Sequence, residues 1–266
     1  MAKLEALLFD VDGTIADTEE LHRQSFNRAF LRSNLKWNWG LEEYTQLLRI
    51  SGGHDRIATY IDRLEVPVDE KEWLRQLVPH IHQTKTEEFG RRIEEGSVQP
   101  RPGVVRLIEE ASAAGIKIGF VATSAWGNVS ALLDAAFGSS ARFEIGAITN
   151  ADMVARKKPA PDVYELLMSM LRVPAEACVA FEDSANGVAA AWAAGAFVVA
   201  TPSPWTAGQD FSRADMILPT LGEPTRGRAP HEAAPVGDPQ WLGLAELSIL
   251  QSNHRRDAGS LHARLP

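Results

Sequence analysis

A chain of 266 residues with one cysteine, Cys178, cannot form an internal disulfide. Its stability must come from a packed core, and a reducing compartment suits it. No apolar run approaches the roughly 18 residues that a membrane helix needs. Basic residues are few: 27 Lys and Arg against 35 Asp and Glu leave a net charge of −8. Such a balance argues against nucleic acid or an anionic membrane as main partner. The opening stretch MAKLEALLFD runs directly into a strand pattern carrying Glu5, so neither a signal nor a transit peptide is expected. The expected location is the cytoplasm, or the plastid stroma after processing in a plant or alga. A monomer is expected, and no internal repeat is visible. An anionic substrate would need a locally positive site against this negative background.

Short apolar runs recur: ALLF (6–9), IKIGFVA (116–122), EIGAI (144–148), CVAFE (178–182), AFVVA (196–200) and MIL (216–218). Their length and their Gly, Pro, Asp and Ser flanks read as buried strands. Between them lie amphipathic helical patterns such as 103–115 and 160–171. The alternation predicts an α/β fold, a Rossmann-like parallel sheet with helices on both faces.

From 17 to 96 helical spacing dominates and no strand is convincing. The expectation is a core domain of residues 1–16 and 97–222 with an all-helical domain, 17–96, inserted after the first strand. The Pro-containing QPRPG supplies a stiff return. Residues 223–238 read as a mobile Pro-, Ala- and Gly-rich loop, 239–250 as a helix packing on the core, and 251–266 as a tail. Trp37, Trp39 and Trp73 are expected in the core of the helical domain, and Cys178 in a buried strand.

In an open α/β sheet, ligands bind beyond the carboxyl ends of the strands. There the sequence places Asp10, Asp12, Gly13 and Thr14, then Thr123 and Ser124, then Lys157 and Lys158, then Glu182 and Asp183. Each feature alone has a plain reading: a carboxylate pair past a strand is commonly a turn or a helix cap, and a strand-end hydroxyl can satisfy the backbone. All of them on one rim point to chemistry.

These residues and their order resemble the haloacid dehalogenase-like superfamily, whose four motifs stand here as DVDGT, Thr123, KKPAPD and FEDS. The resemblance covers residues 4 to about 220, and it implies an Mg²⁺-dependent hydrolase with a helical cap. Mg²⁺ can bind carboxylate oxygen, a carbonyl, waters and phosphate together. Asp10 can attack phosphorus as a covalent nucleophile. Asp12 can serve as general acid and base. Thr123 and the Ser124 amide can hold phosphoryl oxygens while Lys158 offsets their charge. The expected metal ligands are Asp10, the backbone carbonyl of Asp12 (by resemblance) and Asp183, with Glu182 behind them. Lys158, directly before Pro159, fits the motif, so Lys157 is expected to be a solvated neighbour.

In the cap, DTEELHR, SGGHDR and HQTKTEEF resemble CbbY-type proteins, which implies dephosphorylation of xylulose 1,5-bisphosphate, a by-product of carbon fixation. Glu19 and His22 are then expected to face the cleft. Ser51, Gly52, Gly53, His54, Arg56 and Lys85 would grip a distal phosphate. Asp17 is expected to cap the first cap helix in a capping box with Glu20. His54 stands where the close pattern has lysine, and TSAW departs from the usual Thr/Ser-rich run. A β-phosphoglucomutase-like phosphomutase is the alternative enzyme, and a catalytically silent metabolite-binding protein the non-enzymatic one. Thr14 favours the phosphatase, because the mutase pattern generally has Val there.

Overall fold

A computed structural model describes residues 3–96, 98–124, 126–138, 143–223 and 241–253. Six strands form one sheet: β1 (Ala6–Asp10), β2 (Lys117–Ala122), β3 (Ala147–Asn150), β4 (Cys178–Glu182), β5 (Phe197–Ala200) and β6 (Met216–Ile217). Their spatial order is β3-β2-β1-β4-β5-β6, and every pairing is parallel. The predicted α/β sheet is therefore correct. Parallel pairing requires crossovers, which helices supply here. Strand β1, hydrogen-bonded to β2 on one side and β4 on the other, is central and wholly buried.

Strand alternation sorts the core into two faces. Leu7, Phe9, Ile118, Phe120, Val179 and Phe181 point to one face, where Phe9 stacks on Phe181 at 4.5 Å. Covering it are α5 (Val104–Ala113), α6 (Trp126–Phe137) and α9 (Leu244–Asn253), through residues such as Leu107, Leu132 and Leu247. Ala6, Leu8, Cys178, Ala180 and Val198 point the other way, under α7 (Asp162–Leu171) and α8 (Ala185–Ala193). Cys178 is thus a buried strand residue, as expected.

Four helices follow β1: α1 (Glu19–Arg32), α2 (Leu41–Leu47), α3 (Gly53–Arg63) and α4 (Val68–Glu94). They share a cluster of their own around Phe26, Phe30, Trp39, Tyr44, Ile57, Ile61 and Ile81. Trp39 is fully buried in it and Trp37 packs at its edge, but Trp73 is 53% exposed. A central position needs a neighbour on every side, and α4 turns Trp73 outward.

The chain leaves and re-enters the sheet layer through paired segments, with Ala16 bridging Pro100. Beside them Arg101 is buried, and its guanidinium donates to the carbonyls of Gly13, Thr201, Pro202 and Pro219. Asp17 lies 3.5 Å from the same guanidinium. Thr18, not Asp17, precedes α1, and no side chain caps that helix. The expected capping box is replaced by an ion pair at the crossing of the two connections.

The C-terminal helix starts at Leu244 and runs to Asn253, three residues into the expected tail. Most of the expected loop, 224–238, and of the tail, 254–266, lies outside the described residues.

Candidate active site

Because side chains alternate along a strand, Asp10 shares a face with Leu8, and Glu182 shares it with Ala180. Helix α7 covers that face, and Lys158 enters just ahead of it. The Lys158 ammonium donates to Asp10 Oδ1 at 2.7 Å and to Glu182 Oε1 at 2.7 Å. The Tyr164 hydroxyl donates to the same Glu182 oxygen at 2.5 Å. Asp183, next along from Glu182, accepts from the Thr206 hydroxyl at 3.2 Å.

Asp10, Glu182 and Asp183 bring carboxylate oxygens within 4.8 Å of one another, all buried. Were all three ionised, they would outnumber the one ammonium by two charges, and the groups resist this. Burial first, then the Glu182 charge, pushes the Asp10 carboxyl up to about 8, with Lys158 opposing. Burial and the charges of Asp10 and Glu182 raise Asp183 as well. Burial would lower Lys158, but its two acids outweigh it and hold the ammonium above its ordinary range. This donor set fits a hard divalent cation such as Mg²⁺. Glu182 Oε2 is buried without a hydrogen-bond partner among the described residues, against the backbone of Gly187.

Gly13 has φ +89°, and a Cβ there would strike the Asp183 carboxylate. The backbone turn after Asp12 and the close approach of Asp183 both require glycine.

Asp12 is held from three sides. Its Oδ1 accepts from Thr18 at 2.8 Å and lies 2.9 Å from His22 Nε2, while its Oδ2 accepts from Ser124 at 2.6 Å. Burial would raise this carboxyl, but His22 and the two hydroxyls outweigh it and hold it well below the usual range. His22 Nδ1 lies 2.6 Å from Lys85 Nζ. An ammonium can only donate, so Nδ1 is the acceptor and Nε2–H the donor to Asp12. Burial and the Lys85 charge lower the His22 pKa, which agrees with a neutral ring. Phe89 stacks on that ring at 3.8 Å.

The helical layer closes over this rim. Asp12, Glu19, Gly52, Arg56 and Thr123 border two adjoining cavities. One also reaches Asp10, Ser51, Lys158 and Asp183, and the other His22, Gly53, Lys85 and Ser124. Arg56 is fixed by donating to Tyr44 Oη at 3.1 Å, Leu47 O at 3.1 Å and Ile50 O at 3.2 Å. Tyr44 in turn donates to Glu19 at 2.8 Å. Burial lowers Lys85 to about 8, with Asp12 opposing.

His54 does not join this lining. Its side chain is half exposed, 3.7 Å from Asp55, with its ring 6.3 Å from that of His82. Two steps along a helix turn a side chain to nearly the opposite face, so the register that directs Arg56 inward directs His54 outward. His82 lines the cleft instead. Three residues before Lys85, it shares that lysine's helical face, and this spacing was legible in the sequence. Gly53 has no side chain where His82 passes, since a Cβ there would meet its ring at 2.9 Å.

Lys157 is not merely solvated: it donates to Asp55 at 2.6 Å, joining the sheet layer to α3. Asn186, on α8, donates to Arg49 O at 2.9 Å and Ser51 Oγ at 3.2 Å across the same junction. No local pattern marks Asn186, Thr206 or Tyr164, whose roles depend on what packs opposite them.

A family model of haloacid dehalogenase-like hydrolases matches residues 4–195. The chain belongs to this family. Within the haloacid dehalogenase-like hydrolases it is similar to CbbY of Rhodobacter capsulatus, 44% identical over 220 residues that cover 82% of this chain and 94% of the relative. The plasmid CbbY of Cupriavidus necator is 39% identical over 244 residues, covering 92% and 95%. A crystal structure of a CbbY variant from Rhodobacter sphaeroides in complex with xylulose-(1,5)bisphosphate is also similar. It aligns with TM-score 0.75 and 42% identity, covering 82% of this chain and 94% of that one.

Proposed function

We propose that this hydrolase is an Mg²⁺-dependent sugar-phosphate phosphatase acting on xylulose 1,5-bisphosphate through an aspartyl-phosphate. The observation carrying this reading is the Asp10 carboxylate, bound by Lys158 at 2.7 Å at the mouth of a cleft that also contains Asp12. Support for the substrate comes from the similar CbbY structure with that bisphosphate.

Asp10 and Asp183, with the backbone carbonyl of Asp12, would hold Mg²⁺. When bound, the ion neutralises the nucleophile and the phosphoryl oxygens. Glu182 holds Lys158 in place. An Asp10 oxygen attacks phosphorus as the bond to the sugar oxygen breaks, and Asp12, ionised in the resting site, takes up a proton as substrate binds and passes it to that leaving oxygen. Water then attacks the aspartyl-phosphate, Asp12 takes its proton, and phosphate leaves Asp10. The proton Asp12 takes from water replaces the one it gave to the sugar oxygen, so the cycle balances. Thr123, the Ser124 amide and Lys158 bear on the phosphoryl oxygens as charge spreads over them. The second phosphate lies towards Arg56 and Lys85, in the adjoining cavity, with Glu19 and His22 between.

The test is Mg²⁺-dependent phosphate release from xylulose 1,5-bisphosphate, beside β-glucose 1-phosphate primed with glucose 1,6-bisphosphate. Rapid release from the first alone supports the reading, and Asp10→Asn should abolish it while the circular dichroism spectrum stays native. Glucose 6-phosphate from the second mixture means a phosphomutase. No turnover of either substrate overturns the xylulose 1,5-bisphosphate assignment.

A further inference from the structure

Asn128 is the third residue of α6 and only 4% exposed. Its carboxamide has no hydrogen-bond partner among the described residues. The residue is buried as a whole, but its amide is not sealed off: it reaches the cleft, where only the cleft's contents can satisfy it. The side chain borders the cleft beside Ser124, Lys85 and Thr86. Gly90 of α4 approaches it closely: a Cβ there would lie 3.5 Å from Asn128 Oδ1.

The neighbouring polar groups are already engaged. The Ser124 hydroxyl donates to Asp12, the Thr86 hydroxyl to His82 O, and the Lys85 ammonium to His22. Asn128 therefore brings both donor and acceptor capacity that no described protein group uses. A neutral amide suits a neutral oxygen that donates and accepts, whereas a phosphate is better matched by the Arg56 and Lys85 cations in the same cavity.

We propose that Asn128 is a specificity-determining residue that hydrogen-bonds a hydroxyl or carbonyl oxygen on the carbon chain of the sugar phosphate. This deepens the phosphatase reading and rests on it. The cleft then recognises the polyol between the phosphates as well as the phosphates themselves. A site built to bond such an oxygen discriminates strongly against an analogue lacking it, because its own polar group is left unpaired.

Two ligands of equal length and charge test this: xylulose 1,5-bisphosphate and 1,5-pentanediol bisphosphate, which lacks the intervening oxygens. Binding is titrated calorimetrically with Mg²⁺ present, in the Asp10→Asn background that blocks turnover. The sugar ligand should bind at least about tenfold tighter, and adding Asn128→Ala should remove most of that preference. Asn128→Ser, which retains a donor and acceptor, should keep part of it and serves also if the alanine variant fails to fold. Equal weakening of both ligands, or an unchanged preference, would overturn the assignment. Failure of the phosphatase reading is distinguishable, since it appears in the protein with Asn128 intact, as absence of phosphate release.

Discussion

His22 stands between Asp12 and Lys85, with Nε2 2.9 Å from the carboxylate and Nδ1 2.6 Å from the ammonium. One imidazole thus ties the acid/base candidate at the sheet rim to a cation on α4. Asp12 also accepts from Thr18, at the entrance to α1. The sheet layer and the helical layer therefore meet at Asp12.

Replacing His22 by Ala removes the ring's donation to Asp12 and leaves Lys85 without its acceptor. A lost contribution to acid/base chemistry of this kind is worth about 10²-fold or more in kcat. Steady-state rates on the bisphosphate, with circular dichroism as a folding control, check this. A variant of full kcat would mean that Asp12 works without the ring.

Chelation should stop turnover, and the carboxylate cluster makes a further demand on stability. With three buried acids against Lys158, Mg²⁺ should raise the melting temperature of the protein. The gain corresponds to about 2.7 kcal/mol at a hundredfold excess over the dissociation constant. Asp183→Asn should lose that response without losing stability in EDTA, because Asp183 carries a charge the metal-free site disfavours. Differential scanning calorimetry with and without Mg²⁺ separates the two effects. An equal Mg²⁺ response in both proteins would move the ion elsewhere.

Lys85 is the group placed to make binding depend on mildly alkaline pH. Its pKa, about 8 in the folded protein, lies below the ordinary 10.5 because of burial. The cationic form therefore costs folding stability, so stability from this residue rises between about pH 8 and 10.5. Binding runs the other way. As pH climbs past about 8 the free enzyme loses the ammonium proposed to face the distal phosphate, and kcat/KM should fall. Lys85→Arg stays charged throughout and should flatten that limb of the profile. The pH dependence of kcat/KM in both proteins gives the answer.

Gly13→Ala is expected to damage the site more than its size suggests. Left-handed backbone costs an L residue about 1–2 kcal/mol, and the new Cβ would displace Asp183. Urea unfolding should show a loss of at least that size, together with a collapse of kcat and weaker Mg²⁺ binding. Native activity would mean that the turn relaxes freely.

Much of the fold was legible because strands buried on both sides must be apolar nearly throughout. ALLF and CVAFE fall within β1 and on β4, and the long helical stretch matches α1–α4. The boundaries of β3 were less so: EIGAI was read two to three residues early, since strand β3 starts at Ala147 and ends at the polar Asn150. Polar strand ends carry no hydrophobic signal. Asp10, Asp12, Lys158 and Asp183 were legible by their position just past strands. His54 was read as facing the cleft, because composition near the start of α3 does not fix which residue turns inward.

The sequence by itself determined the parallel sheet, the helical insertion and the run of acids, hydroxyls and lysine along one rim. Those features follow from local pattern and from the rule that strand ends face the ligand. Only the tertiary structure decided that Glu182 serves Lys158, that Lys157 reaches Asp55, that Arg56 and not His54 lines the cleft, and that Asn128 borders the cleft with no hydrogen-bond partner among the described residues. Each of those depends on groups distant in the chain meeting at a few ångströms. Hydrogen bonding and burial act over that range, and neighbours in sequence do not specify them.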